Sequence, residues 1–313
     1  MSASSPVVRA TAPAKVNLVL EVLGRRADGY HELWTWMLAV GLEDEVRVRA
    51  LPPRAEPGIQ LSITGPAGTA DVRADASNLV WRAARAVLDR AGTGAGLAIE
   101  LEKRIPSQSG LGGASADAAA TVLAAERALR CALTAEERAA VLASLGSDCA
   151  FFAAAPAGVA LCGGRGEEIR SAPERAPAWW IAIVAPTVGC PTPAVYAELA
   201  RRLSRPVEAP SLPDAWLEAP ASDARRFLGN RLEAAALAVA PELARWRALF
   251  DALGAEHTRL TGSGSAFFAL FDERDEAEEF GARVEARARS EGLLLRGRWT
   301  VRAAGSGAKV RES

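Results

Sequence analysis

The chain has 313 residues, half of them hydrophobic and 24% charged, with a net charge of −1 and an isoelectric point near 6.3. That length passes the ~250–300 residues at which single cores stop growing, so two packed domains are expected, and the near-neutral balance offers no basic domain to a nucleic acid. Four cysteines (Cys131, Cys149, Cys162 and Cys190) without a Cys-x-x-Cys pair, and only two histidines (His31 and His257), exclude a disulfide framework, a zinc knuckle and a histidine-rich metal site.

Met1 to Ala10 has no long apolar core of the signal-peptide kind, and no apolar run reaches the ~18–20 residues that span a bilayer. A cytoplasmic protein with no membrane partner is expected. Lys15 to Leu23 is apolar with polar interruptions, Val46, Val48 and Ala50 alternate with charged residues, and Ile59, Leu61 and Ile63 alternate with polar ones. A period of two predicts strands with one buried face. Asn78 to Ala91 predicts a helix capped by Ser77 or Asn78, with Leu79, Ala83, Ala86 and Val87 along one stripe. Leu97, Ile99 and Leu101 form another alternating strand. Pro106 to Ser115 is then a glycine- and serine-rich loop that feeds an alanine-rich helix from Ala116 to Leu129. Thr134, with Glu137 three residues on, sets up a capping box for a helix that Gly146 ends. Ser147 and Asp148 open a short segment to Phe152, and Val159 to Cys162 reads as a strand closing the first domain, 1–170.

Pro173 and Pro177 mark a linker over Ser171 to Ala178. The second domain, 179–303, opens with a strand from Trp179 to Ala185, followed by a helix from Thr192 to Leu203 and a proline-bearing stretch from Arg205 to Pro220. Glu242 to Leu253 is an amphipathic helix with Pro241 at its first turn and Leu243, Trp246, Leu249, Phe250 and Leu253 on its apolar side. Thr258 to Phe271 reads as two strands interrupted by a glycine-serine run, followed by a helix from Glu273 to Ala288 and a strand from Leu293 to Val301. Residues 304–313, small and charged, read as a loose tail. Strands and helices in irregular order predict an α+β fold. Trp34, Trp36, Trp179, Trp180 and Trp246 read as core or interface residues.

Five segments carry chemistry. Gly110-Leu111-Gly112-Gly113-Ala114-Ser115 lets backbone approach a ligand and turns the unpaired N–H groups of the next helix toward an anion, for which phosphate is the natural occupant. It lacks the Gly-Lys-Ser/Thr of a Walker loop and the spacing of a dinucleotide fingerprint; a flexible helix-capping turn is the plainer reading. Gly262-Ser263-Gly264-Ser265 is either a hairpin turn or a second backbone surface supporting the first. Lys15 and Asn17 interrupt an apolar strand on one face, as solvated edge residues or as the lining of a polar cleft. Asp148 is either a helix cap or a cleft carboxylate able to accept a hydroxyl proton, kept ionised by Lys15. Tyr30 and His31, after Gly29, offer a stacking face and a hydrogen-bonding edge that suit a nucleobase, or form a turn with a partly buried aromatic.

Taken in register from about Ala12 to Val301, these segments resemble the GHMP kinase superfamily. Pro13 to Leu18 is similar to its opening motif, Pro106 to Ala116 to its ATP loop, Leu145 to Asp148 to its catalytic acid segment, Pro191 to Pro193 to a substrate-side motif and Leu260 to Ser265 to its third glycine motif. Gly24 to Leu33 resembles only the branch whose substrate is a cytidine-diphosphate methylerythritol. The resemblance implies a two-domain α+β fold with its active site in the interdomain cleft, and ATP-dependent phosphorylation of that substrate's 2-hydroxyl on the non-mevalonate route to isoprenoid precursors. It implies Asp148 as the base and Lys15 polarising the hydroxyl and the γ-phosphate. Pro106, Ser107, Gln108, Ser109, Gly110, Leu111, Gly112, Gly113, Ala114, Ser115 and Ala116 would surround the ATP phosphates, with Mg2+ bridging the phosphates and no protein ligand assigned. Cytosine would stack between Tyr30 and Tyr196 with His31 on its edge, Asn17 and Thr192 would touch the substrate, and Gly262, Ser263, Gly264 and Ser265 would support the loop. The loop departs from the family in carrying Ser107, Gln108, Ser109 and Ala114 where glycine is usual, and Asp117 where asparagine is common. The alternatives are another superfamily kinase acting on mevalonate, homoserine or a sugar, against which Gly29-Tyr30-His31 speaks, and a silent nucleotide-binding sensor, against which Lys15 and Asp148 speak.

Overall fold

The computed structural model describes residues 5–54, 58–67, 72–203, 206–213 and 215–311. Met1 to Ser4 of the signal-peptide reading, Arg205 and Asp214 of the proline-bearing stretch, and Glu312 and Ser313 of the tail lie outside these. In chain order the regular elements of the first half are β1 (Val8–Arg25), β2 (His31–Leu51), β3 (Ile59–Thr64), α1 (Leu79–Ala91), β4 (Gly96–Glu102), α2 (Gly113–Leu129), α3 (Ala135–Leu145), α4 (Cys149–Ala154), β5 (Val159–Gly163) and β6 (Glu168–Ser171). The second half carries β7 (Trp180–Pro186), α5 (Thr192–Arg202), α6 (Ala221–Ala224), β8 (Gly229–Asn230), α7 (Glu233–Val239), α8 (Glu242–Ala252), β9 (Arg259–Leu260), β10 (Phe267–Phe271), α9 (Arg274–Ser290), β11 (Leu295–Arg302) and β12 (Lys309–Arg311). The arrangement is α+β.

Local chemistry sets several boundaries. Asn78 caps α1 by accepting from the Val80 N–H, and Thr134 and Glu137 close a capping box on α3. Helix α2 begins three residues before the sequence expectation, because Gly112 in the left-handed region serves as its cap and makes Gly113, Ala114 and Ser115 its first turn. Ala116, Ala118 to Ala120, Ala124 and Ala125 are buried on every side, against β1 and β2 and against α1 and α4, as expected of a helix apolar all round. Strands β1 and β2 run much longer than their alternating stretches, since consecutive residues from Ala10 to Leu20 and from Met37 to Val40 are all buried and leave no polar face to read.

One sheet is ordered β12-β1-β2-β4-β3, with β5 also paired to β2, β6 to β5, and β8 to β1; the second is ordered β11-β7-β10-β9. The loose tail is therefore corrected: Lys309–Arg311 pairs antiparallel with Arg9 to Thr11, with Val310 turned to the core and the Ala308 N–H bonded to the Phe152 carbonyl. Three residues are too short to show a period. The sheets also do not part at the linker, because β8 and β12 return from the second half to the first sheet. A shared apolar cluster binds the halves, bringing Val16, Leu18 and Trp34 against Trp179, Ile183, Phe268 and Leu270. Among the described residues no helix is long and apolar enough to cross a membrane.

Candidate active site

Where β1, α2, α5 and the β9–β10 turn converge, a cleft of about 1330 Å³ opens, larger than the roughly 300–1,000 Å³ of a site for one small ligand. Lys15, on β1, is almost wholly buried in its floor. Its Nζ donates to Asn17 Oδ1 at 2.6 Å and to the Gly110 carbonyl at 2.8 Å, and stands 3.7 Å from Asp148 Oδ2. Burial holds the ammonium below the ordinary lysine range, partly opposed by the Asp148 carboxylate. Asp148 occupies the cap position of α4 but makes no capping hydrogen bond, and its side chain keeps 28% exposure. The helix-cap reading gives way to a carboxylate facing the cleft.

The loop from Pro106 to Ser115 forms the adjoining wall, ending at an α2 N-terminus that no side chain caps. Its fit against the second sheet is tight. The Ala266 N–H donates to the Ser109 carbonyl at 2.9 Å, and a methyl on Gly110 would stand 2.1 Å from the Thr261 carbonyl oxygen, so only glycine serves there. A methyl on Gly112 would meet Lys15 Cγ at 2.9 Å, which shows how closely this backbone passes the ammonium. The glycine-serine run is the turn of the β9–β10 hairpin, and it carries Gly262 and Ser263 to the cleft. Gly264, Ser265 and Ala116 do not line it.

Tyr30, His31 and Tyr196 make the aromatic end of the cleft, and Thr192 lines it beside the β9–β10 turn. The His31 and Tyr196 rings lie 5.1 Å apart between centres, while Tyr30 is 55% exposed in the β1–β2 turn rather than partly buried. Burial and the Arg25 charge lower the His31 pKa, which favours a neutral imidazole. The Thr192 hydroxyl bonds that of Ser263 at 2.7 Å, and Asn17 Nδ2 donates to Thr35 Oγ1 at 2.9 Å. The structure thus brings together around one cleft Lys15, Asn17, Tyr30, His31, Pro106 to Ser115, Asp148, Thr192, Tyr196, Gly262 and Ser263.

Sequence reasoning missed two groups. Lys103, hidden in the charged run Glu102-Lys103-Arg104, is buried with its Nζ bonded to Asp44 and, at 2.7 Å, to Asp117. Burial and the second carboxylate, outweighing the Lys103 charge, push Asp117 up to about 8. Arg25 and Arg165 also line the cleft, and the glycines around Arg165 were the available signal. Among the described residues no cluster of His, Cys, Asp and Glu forms an all-protein metal site.

Residues 78–158 match the family described as GHMP kinases N terminal domain, and residues 215–290 the one described as GHMP kinases C terminal. A 4-diphosphocytidyl-2-C-methyl-D-erythritol kinase of Heliobacterium modesticaldum is 37% identical over 302 residues, covering 89% of this chain and 90% of its own. Its namesake in Pelobacter propionicus is 38% identical over 274 residues, covering 88% and 92%. A crystal structure of 4-(cytidine 5'-diphospho)-2C-methyl-D-erythritol kinase superposes with a TM-score of 0.71 at 33% identity, covering 95% of this chain and all of that one. A homoserine kinase from Cytophaga hutchinsonii gives the same TM-score of 0.71 at only 18% identity, which speaks for the fold alone.

Proposed function

The chain belongs to the 4-diphosphocytidyl-2-C-methyl-D-erythritol kinases, within the GHMP kinases, and on that footing we propose that it transfers the γ-phosphoryl group of ATP to the 2-hydroxyl of 4-diphosphocytidyl-2-C-methyl-D-erythritol, a step of non-mevalonate isoprenoid precursor synthesis. One observation carries the reading: an uncapped helix N-terminus, a lysine–aspartate pair and an aromatic end share a single cleft.

Each part has a task. The free N–H groups of α2 and the loop backbone receive the triphosphate, aided by the helix dipole. Asp148 accepts the proton of the acceptor hydroxyl as its oxygen attacks phosphorus, and the ADP oxygen leaves opposite. The Lys15 ammonium sits between the phosphate loop and Asp148, where negative charge builds in the transfer. Tyr30 and Tyr196 take the cytosine between them, with His31 on its edge. The Ser115 hydroxyl and the Asp148 carboxylate both line the cleft and would help to hold a Mg2+ brought in with the ATP phosphates, whose charge that ion would neutralise. Burial pushes the Cys149 and Cys162 thiols up to about 12, and all four cysteines are free, in keeping with a cytoplasmic enzyme.

A coupled ADP-release assay tests this. Release is expected with the cytidine-diphosphate substrate, and little with mevalonate or homoserine. Comparable release with either competitor would overturn the substrate assignment, and no release with any would overturn the activity.

A further inference from the structure

Between β5 and β6 the chain turns through Gly163-Gly164-Arg165-Gly166, which no step above uses. The turn is firmly built. The Gly166 N–H donates to the Gly163 carbonyl at 2.9 Å, the Leu33 N–H to the Gly164 carbonyl at 2.7 Å, and the Gly164 N–H to Glu32 Oε1 at 3.2 Å. Glu32 is itself gripped by Arg26 at 2.8 Å and Arg170 at 2.7 Å. One end of the turn touches the reacting centre, since a methyl on Gly166 would stand 3.5 Å from Asp148 Oδ1. The other end reaches the aromatic site, where the Arg165 guanidinium lies 4.9 Å from the Tyr30 ring centre. Arg165 therefore stands between carboxylate and stacking ring. Its Nε bonds Glu167 Oε1 at 3.3 Å, while its two terminal nitrogens have no hydrogen bond among the described residues.

We propose that Arg165 grips the diphosphate of the substrate and so makes the site select a nucleoside diphosphate over the uncharged nucleoside. The inference rests on the proposed function. If the base lies on Tyr30 and the reacting hydroxyl at Asp148, the diphosphate must cross the interval that Arg165 occupies. A guanidinium presents paired N–H groups that match phosphate oxygens, and the existing partner, Glu167, is a carboxylate two residues away that engages only Nε, at 3.3 Å, and leaves both terminal nitrogens to a ligand. Covering one face of Tyr30 leaves the other for a base. Arg25 lies on the same wall beside His31 and adds positive charge there.

Isothermal titration of cytidine and cytidine diphosphate against wild type, Arg165→Met and Arg165→Lys tests the inference. Wild type should bind the diphosphate more tightly than cytidine. Arg165→Met should lose about tenfold to a hundredfold on the diphosphate while cytidine moves by less than about twofold, and Arg165→Lys should lie between. In turnover, KM for the cytidine-diphosphate substrate should rise with KM for ATP unchanged. Thermal midpoints near wild type would show the variants folded; should Arg165→Met not fold, Arg165→Lys decides by the same ratio. Equal weakening of both ligands, or none, overturns the inference while the kinase reading stands on ADP release. A wild type that binds neither ligand and releases no ADP overturns both.

Discussion

The molecule holds two clusters of lysine and aspartate within one half, and they are built in opposite ways. Around Lys103 everything is closed: Asp44 and Asp117 are both buried, each touches the ammonium, and Asp44 also accepts from the Arg104 and Ile105 N–H groups. Around Lys15 the partner stands off at 3.7 Å, keeps 28% exposure, and shares the ammonium with a side-chain amide and a loop carbonyl. The closed cluster spends its charges on itself and leaves only Asp117 Oδ1 without a partner, buried where little can reach it. The open one has donors and acceptors left over for something that arrives. The same residue types thus make a fastener in one place and reactive machinery in the other, and the difference lies in slack and access.

The largest expected effect comes from the open pair. Asp148→Asn should lower kcat by on the order of 10³-fold, the loss of a general base. ATP affinity and the thermal midpoint should stay near wild type, because the side chain supports no helix cap. Near-normal turnover would refute the base assignment and leave the open pair without a task.

Lysine replacements come next and should move in contrary directions. Lys103→Met leaves the buried carboxyl groups of Asp44 and Asp117 with no cation between them and should cost about 3–5 kcal/mol by urea denaturation. Lys15→Met should abolish turnover yet keep or raise the urea midpoint, since burial opposes the Lys15 charge more than Asp148 supports it and the remaining carboxylate still meets solvent. If Lys103→Met proved as stable as wild type, the closed cluster would not be a fastener.

How far sequence could reach follows the same division. The open site was legible because its parts sit in motifs whose residue types have little other reason to be there: a lysine in an apolar strand, glycines before a helix, an acid ahead of Cys149-Ala150-Phe151-Phe152. Alternation revealed the strands with one wet face, such as β3 and β4. It was blind to the first half of β1, where both faces are buried, and to β12, whose pairing is with residues almost the whole chain away. The closed cluster was unreadable for a related reason. Glu102-Lys103-Arg104 looks like a solvated run, and only the pairing of β2 with β4 carries Asp44 beside it.

The closed cluster should also announce itself through pH. Asp117 is pushed up to about 8, above the ordinary range of an unfolded aspartate near 4, so between those values the folded state holds a proton that the unfolded state has released. Stability should therefore fall as pH rises through that window and level off above it. Asp117→Asn, which cannot titrate, should flatten the slope in urea midpoints taken across the window. An unchanged slope would mean that another group carries it.

The smallest effect belongs to the far end of the open cleft, where Tyr30 can be altered without touching either lysine. Tyr30 is largely exposed and its ring contact is with Arg165, so Tyr30→Ala removes a stacking surface and little packing; the fold should be indifferent to it. A base stacked there is held equally before and during phosphoryl transfer, which makes the contact one of uniform binding. KM for the cytidine-diphosphate substrate should then rise about tenfold while kcat changes little. KM for ATP, bound at the loop, should not move. If kcat fell as far as KM rose, Tyr30 would be tied to the reacting hydroxyl, and the slack around Lys15 and Asp148 would be taken up from the far end of the cleft, not from the loop. An unmoved KM would remove the base from Tyr30 altogether, and with it the reason for a diphosphate to lie across Arg165.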